Sequence, residues 1–272
     1  MEVIKLEIEI IQMKSAKKHI CEDYFISNKE MGLFAILDGA TPISNFVDQD
    51  GHNGAVLASR IVGNALIKVE NTSIKTTISE ANLLLANEMK IHRIDTSKKE
   101  ELWSTCLAMV KMDDNEIHFA QIGDCMIFAT TRTGEWKTLS KDMVFGISER
   151  ARQHRENERR LGRKLPPEEY YQNKKHSLIY NRSLANKENG YAVLNGDPAA
   201  IQFLHEGILQ KEEYRGILLM TDGLFPKDRN WGMMLSHINQ NGLYQYAKNL
   251  IEYEQANNLS QDDKTGIWIQ FS

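Results

Sequence analysis

Apolar and polar positions change period several times along the chain, and each change predicts an element. In residues 3–11, Ile4, Leu6, Ile8 and Ile10 fall on one face while Lys5, Glu7 and Glu9 point the other way, the period-2 pattern of a half-buried strand. The run GLFAIL at 32–37 is apolar on both faces and predicts a central strand ending at Asp38-Gly39. Over 54–69 the period lengthens: Val56, Leu57, Ile61, Ala65 and Leu66 recur at helical spacing, as do Ile74, Ile78, Ala81, Leu85 and Met89 over 73–92. Strands are then predicted at 103–110, 116–122 and 126–131, joined by the short polar turns Asp113-Asp114-Asn115 and Gly123-Asp124 that suit antiparallel pairing. Residues 191–194 are a short strand candidate and 216–223 an apolar strand ending at Asp222-Gly223. A helix at 243–254 and a final strand at 266–271 complete an order that predicts an α+β fold, with helices packed over antiparallel sheets.

Residues 149–176 interrupt this rhythm. Nine Lys/Arg against five Asp/Glu give the stretch +4, which leaves −8 on the remainder of a chain whose net charge is −4. It predicts an exposed basic helix stopped by Pro166-Pro167. The whole connection, about 145–196, is longer than an ordinary loop. It is expected to be a flap-like insertion within one domain spanning 1–272.

With 272 residues, 42% hydrophobic and 26% charged, the composition is that of a globular protein able to bury a large core. The net negative charge argues against a nucleic-acid partner, and the basic stretch carries no recognisable binding motif. No apolar run reaches 18 residues, so no membrane partner is expected. Three widely spaced cysteines, Cys21, Cys106 and Cys125, form no CxxC pair; a reducing, cytoplasmic location fits.

Acidic residues gather at strand ends: Glu22-Asp23, Asp38-Gly39, Asp222-Gly223 and Asp262-Asp263. Each alone reads as a turn. Together they could converge across a sheet on hard divalent cations, which take oxygen ligands. The ordered strings CEDYF, LFAILDGA, WSTCLAMV, FAQIGDCMIF, LLMTDGLF and QDDKTGIWI resemble the metal-dependent PP2C (PPM) Ser/Thr protein phosphatases of bacterial type, from about residue 10 to 271. The resemblance implies an α-β-β-α sandwich of two antiparallel sheets flanked by helices. It implies hydrolysis of phosphoserine and phosphothreonine by a hydroxide bridging two Mn²⁺ or Mg²⁺ ions, on phosphoprotein substrates, in a protein expected to be monomeric.

Position by position, the resemblance makes Asp38 the carboxylate bridging both ions and Gly39 a carbonyl ligand of the second. Glu22 becomes another ligand of that second ion, Asp222 and Asp262 ligands of the first. Asp23 would orient bound water. Lys18 stands where the family usually has a phosphate-binding Arg. It supplies charge without the bidentate fork. Asp124 matches an acid that helps hold a third, weaker ion. Two departures stand out. Ala40 replaces the His often proposed as general acid, and Pro226 replaces a further Asp, with Asp228 the nearest substitute. The string Asp50-Gly51-His52-Asn53-Gly54 resembles the same motif as Asp38-Gly39, and His52 is expected either to return to the site or to sit in solvent. The departures favour a second function class, a PP2C-like pseudophosphatase that binds or regulates a partner. The retained carboxylates favour the enzyme.

Overall fold

The computed structural model describes residues 6–68 and 73–271. In chain order the elements are β1 (Leu6–Met13), β2 (Tyr24–Asn28), β3 (Leu33–Gly39), α1 (Gly54–Lys68), α2 (Ile74–Ile91), β4 (Thr105–Met112), β5 (Glu116–Ile122), β6 (Met126–Thr131) and β7 (Trp136–Thr138). There follow α3 (Ile147–Arg160), α4 (Lys174–Ser183), β8 (His205–Gln210), β9 (Tyr214–Met220), α5 (Trp231–Asn241), α6 (Leu243–Ala256) and β10 (Lys264–Phe271). Of the segments read from sequence, residues 3–5 of the first strand and Val69 of the first helix lie outside the described residues.

The strands form two five-stranded antiparallel sheets, ordered β1-β10-β9-β6-β7 and β2-β3-β4-β5-β8. This is the expected α+β sandwich with helices on both outer faces. Strand alternation builds the three hydrophobic layers. In β3, Phe34 and Ile36 face the other sheet, packing with Ile127, Leu219 and Ile267. Leu33, Ala35 and Leu37 face α1 and α2. In β9, Ile217 and Leu219 point into the seam, while Leu218 and Met220 point outward to α5 and α6. All of these except Leu33, at 3% exposure, are fully buried. Each of the larger side chains, Ala35 aside, contributes about 1.5–3 kcal/mol of hydrophobic stabilisation before entropy is counted. The same parity turns Asp38, two residues past Ile36, toward the seam between the sheets.

The basic segment differs from its sequence reading in two respects. The helix α3 ends at Arg160, before the prolines, where Leu161 caps it and Gly162 turns left-handed at φ 82°. Pro167 instead caps the single 3₁₀ turn Glu168–Gln172. The segment is also not merely solvated, because Ala151 and Arg155 are buried. Arg155 makes a two-pronged pair with Glu168 at 2.9 and 2.7 Å and lies 4.2 Å over Tyr171 and 5.0 Å over Tyr180. Residues 191–194 form isolated bridges, Ala185 with Tyr191 and Thr105 with Leu194, rather than a strand. The second bridge stitches the insertion back onto β4, and the first closes a turn within it.

Candidate active site

Every strand-end acid singled out in the sequence arrives at one end of the seam. Glu22 and Asp23 precede β2, Asp38 ends β3, Asp124 lies in the β5–β6 turn, Asp222 follows β9, and Asp262 precedes β10. Lys18, Asp38, Gly39, Asp124, Asp222 and Asp262 line a single cavity of about 240 Å³. Glu22 and Asp23 are buried directly behind it. The insertion supplies the opposite wall through Ile147, Leu178, Asn181, Arg182 and Tyr191.

The backbone is tailored to this convergence. A Cβ at Gly39 would lie 2.4 Å from the Ala55 carbonyl and 2.7 Å from that of Glu22, so the Asp38-Gly39 turn can press against α1 only as glycine. At Gly223 a Cβ would meet the Asp263 carbonyl at 1.8 Å, which brings the Asp222 turn and the Asp262-Asp263 turn into contact.

Electrostatics define the floor. Asp23 accepts from Thr221 Oγ1 at 2.9 Å. Burial pushes its carboxyl up to about 8, with help from the charges of Asp263 and Asp222 and against the threonine hydrogen bonds. Burial, then the charges of Asp23, Asp222 and Asp124, holds Asp38 well above the usual carboxylate range. Burial followed by Asp222 pushes Asp124 up to about 7. Asp222 is raised by burial and by Asp262. The nearby Asp38 carboxyl partly offsets that rise at Asp222.

Such a site calls for a cation. Buried like charges are relieved either by protons or by a metal ion. Asp124 Oδ1 is buried with no hydrogen-bond partner, a vacant oxygen donor. The donor set is all oxygen and suits Mg²⁺ or Mn²⁺. The residues fit the group.

Lys18 is the floor's counter-ion. Its Nζ lies 2.7 Å from Glu22 Oε2, 2.6 Å from Asp262 Oδ1 and 3.2 Å from Asp263 Oδ2. Burial pulls its pKa down, but hydrogen bonds and charge from Asp262 and Glu22 outweigh that and raise it.

Several participants escaped the sequence reading. Asp263 accepts from the backbone N–H groups of Ser15 and Glu22, both at 2.7 Å, and so fastens the Lys18–Glu22 loop to the start of β10. Glu22 accepts from Thr41 Oγ1 at 2.7 Å and Asn53 Nδ2 at 2.6 Å. The second DG string therefore serves the site through Asn53. His52 stays outside the cavity, 3.1 Å from Asp48 and 2.8 Å from Arg60. Asp50 is likewise outside, exposed. Asp228 does not replace the acid missing at Pro226. Both line a separate cavity beside α5 and α6, and the Asp228 carboxylate caps the Asn230 N–H at 3.0 Å. The acid that does bear on Asp124 and Asp222 is Asp142, itself paired with Arg229 at 2.7 Å. Cys106, buried at 6% exposure, lines the cavity beside Asp124.

Among the described residues, two trios close enough to share a cation lie elsewhere, Asp48/Asp50/His52 and Asp113/Glu116/His118. The cavity carboxylates are more widely spread than either trio, with the Lys18 ammonium among them.

Comparison with known proteins identifies the family and the fold. A family model described as Protein phosphatase 2C matches residues 12–262. The Mycobacterium tuberculosis serine/threonine phosphatase PstP/Ppp superposes with a TM-score of 0.61 at 19% identity, over 98% of this chain and 99% of that one. Staphylococcus aureus serine/threonine phosphatase Stp1 gives 0.61 at 17% identity, over 98% and 96%. The catalytic domain of PstP in complex with two manganese ions gives 0.60 at 18%, over 99% of each chain. At these identities the likeness is one of fold. A search of curated proteins finds no match. Over nearly its whole length, then, the chain belongs to the protein phosphatase 2C family.

Proposed function

We propose that this chain is a metal-dependent protein serine/threonine phosphatase that hydrolyses phosphoserine and phosphothreonine on other proteins. The observation that carries the reading is the convergence of Asp38, Asp124, Asp222 and Asp262 in one cavity, with Glu22 and Asp23 behind them. Asp38, Glu22 and the Gly39 carbonyl would hold one Mn²⁺ or Mg²⁺, and Asp38, Asp222 and Asp262 the other. When bound, the ions supply a water that ionises near neutral pH and positive charge for the phosphoryl group. Asp23, anchored through Oδ2 by Thr221, orients water at the floor. Lys18 adds positive charge beside Glu22 and Asp262. Ala40 has no proton to give to the departing seryl or threonyl oxygen, so that proton comes from solvent or from another group in the cavity.

No helix among the described residues is long and apolar enough to cross a membrane. Cys21, Cys106 and Cys125 are unpaired. Both features support action on phosphoproteins in a reducing cytoplasm. A second reading, a pseudophosphatase that binds without turnover, is favoured by Ala40 and Pro226. Phosphate release from a phosphothreonine peptide, with Mn²⁺ and with EDTA, separates them. The phosphatase releases phosphate and stops in chelator. A binding module retains the peptide unchanged, and undiminished turnover in EDTA would sink the metal-dependent reading.

A further inference from the structure

We propose that Arg182, near the end of α4, is the side chain that grips the phosphate of the substrate, so that the insertion reads the phosphoryl group itself. The inference rests on the phosphatase reading and adds the residue that recognises the substrate.

The cavity is lined by two cationic side chains, Lys18 and Arg182. An ammonium has three donors, and Lys18 faces three carboxylates, so it has none left for a ligand. Arg182 is placed differently. One terminal nitrogen donates to the Thr41 carbonyl at 3.1 Å, and Tyr191 lines the same cavity. Among the described residues no carboxylate lies within ion-pair distance of it. A guanidinium has five N–H donors in a planar fork that matches phosphate oxygens in pairs. Arg182 therefore brings uncompensated charge and spare donors to the cavity wall.

Its surroundings support the same role. Asn181, the preceding residue, is buried and lines the cavity beside it. Val144, Ile147 and Leu178 add an apolar rim, which lowers the local dielectric and strengthens a charged contact. Four of the nine Lys/Arg in 149–176 are held in ion pairs within the insertion. Arg152 pairs with Glu149 and Glu156, Arg155 and Arg159 with Glu168, and Arg163 with Glu158. None of the nine lines the cavity. The specific cation is Arg182.

The test is binding of a peptide carrying a non-hydrolysable phosphonate in place of phosphothreonine, beside its unmodified counterpart, to the Mn²⁺-loaded protein. Arg182→Ala should weaken the phosphonate peptide about 10- to 100-fold, the loss expected for hydrogen bonds to a charged group. The unmodified peptide should be unaffected, and Arg182→Lys should fall between, keeping charge without the fork. Mn²⁺ affinity, titrated without peptide, should stay within about 2-fold, because Arg182 reaches Glu22 only through Thr41. Equal phosphonate affinity in Arg182→Ala, an equal loss for both peptides, or no preference of the wild type for the phosphonate would each overturn the proposal. So would a fall in Mn²⁺ affinity large enough to account for the loss, since Arg182 would then act by holding the Thr41 loop. Should Arg182→Ala melt below the assay temperature, Arg182→Lys decides by the same comparison. Turnover of the phosphothreonine peptide by the wild type is read separately. Binding without hydrolysis would refute the phosphatase reading and leave this role of Arg182 standing.

Discussion

Glu254 on α6 has a side chain with no exposure, and it is flanked by two lysines. Lys264 Nζ lies 2.8 Å from Oε2 and is 2% exposed, while Lys227 Nζ lies 2.7 Å from Oε1 and is 37% exposed. These contacts are close but lie off the direction of good hydrogen bonds, so the cluster is held by charge. Lys264 also donates to the Asp262 carbonyl at 3.2 Å, which ties the cluster to the Asp262-Asp263 turn at the cavity. Glu254→Gln keeps the shape and removes the charge, leaving a buried ammonium without its counter-ion. Breaking a buried pair from one side costs about 3–5 kcal/mol. For a chain of this size each kcal/mol moves Tm by roughly 2–4 °C, so melting should fall by about 10 °C. Lys227→Ala, at a half-open site, should cost under about 1 kcal/mol. The double variant Glu254→Leu with Lys264→Met removes both buried charges and should recover most of the loss. Urea unfolding followed by circular dichroism in EDTA measures all four proteins without metal binding in the balance. A Glu254→Gln cost below about 1 kcal/mol, or a double variant no better than the single, would refute this account of the cluster.

Other expectations follow from the site and the insertion. Asp38→Asn and Asp222→Asn should each lower kcat at least about 100-fold on a phosphothreonine peptide, with melting in EDTA unchanged or raised, since each removes one member of a repelling set; wild-type kcat in Asp38→Asn would show that the chemistry lies elsewhere. Burial raises Asp23 to about 8 and Asp124 to about 7, so the metal-free folded state keeps protons that the unfolded chain releases above about pH 4. Their stability contribution is therefore full at about pH 4 and lost as pH rises toward about 8: Tm in EDTA should be lower at about pH 8.5 than at about pH 5.5, and the opposite slope would contradict the assignment. Arg155→Ala removes the centre of the Glu168, Tyr171 and Tyr180 cluster, and limited proteolysis should cut at 147–183 long before the sheets unfold; cleavage rates equal to wild type would place the insertion's stability elsewhere.

What the sequence disclosed tracks the strength of its local signals. β3, β5, β6, β9 and β10 were legible because burial on one or both faces forces regular apolar runs, and the strand-end acids were legible because Asp-Gly punctuation marks where such runs stop. β8 was missed because it is an edge strand, largely exposed along HEGILQ, with no period-2 core face to betray it. β2, at five residues of which only Ile26 is buried, was too short to show a period. α5 begins after a loop, and its buried Met234, Leu235 and Ile238 cover a single face of a short helix. In the site, the carboxylates could be named in advance because their chemistry requires that residue type. Asn53, Thr41 and Arg182 could not, nor could the fastening role of Asp263, because each acts through a contact with a residue distant in sequence. His52 and Asp228 show the converse, since resemblance of a string does not fix where its side chain points.

The acids come from both halves of the sandwich. Glu22, Asp23 and Asp38 belong to the sheet built on β2 and β3, and Asp222 and Asp262 to the sheet built on β9 and β10. A cation seated between them is then a staple across two otherwise separate layers. Its binding energy becomes cohesion of the whole sandwich, about 2.7 kcal/mol at a hundredfold excess over Kd. The reverse coupling follows by linkage. Packing changes at Phe34, Ile127 or Ile267 in the seam, remote from any ligand, would shift one layer against the other and so reset the grip on the ion. In this architecture the hydrophobic interior is part of the tuning of the cofactor, and a survey of metal affinity should include residues that never touch it.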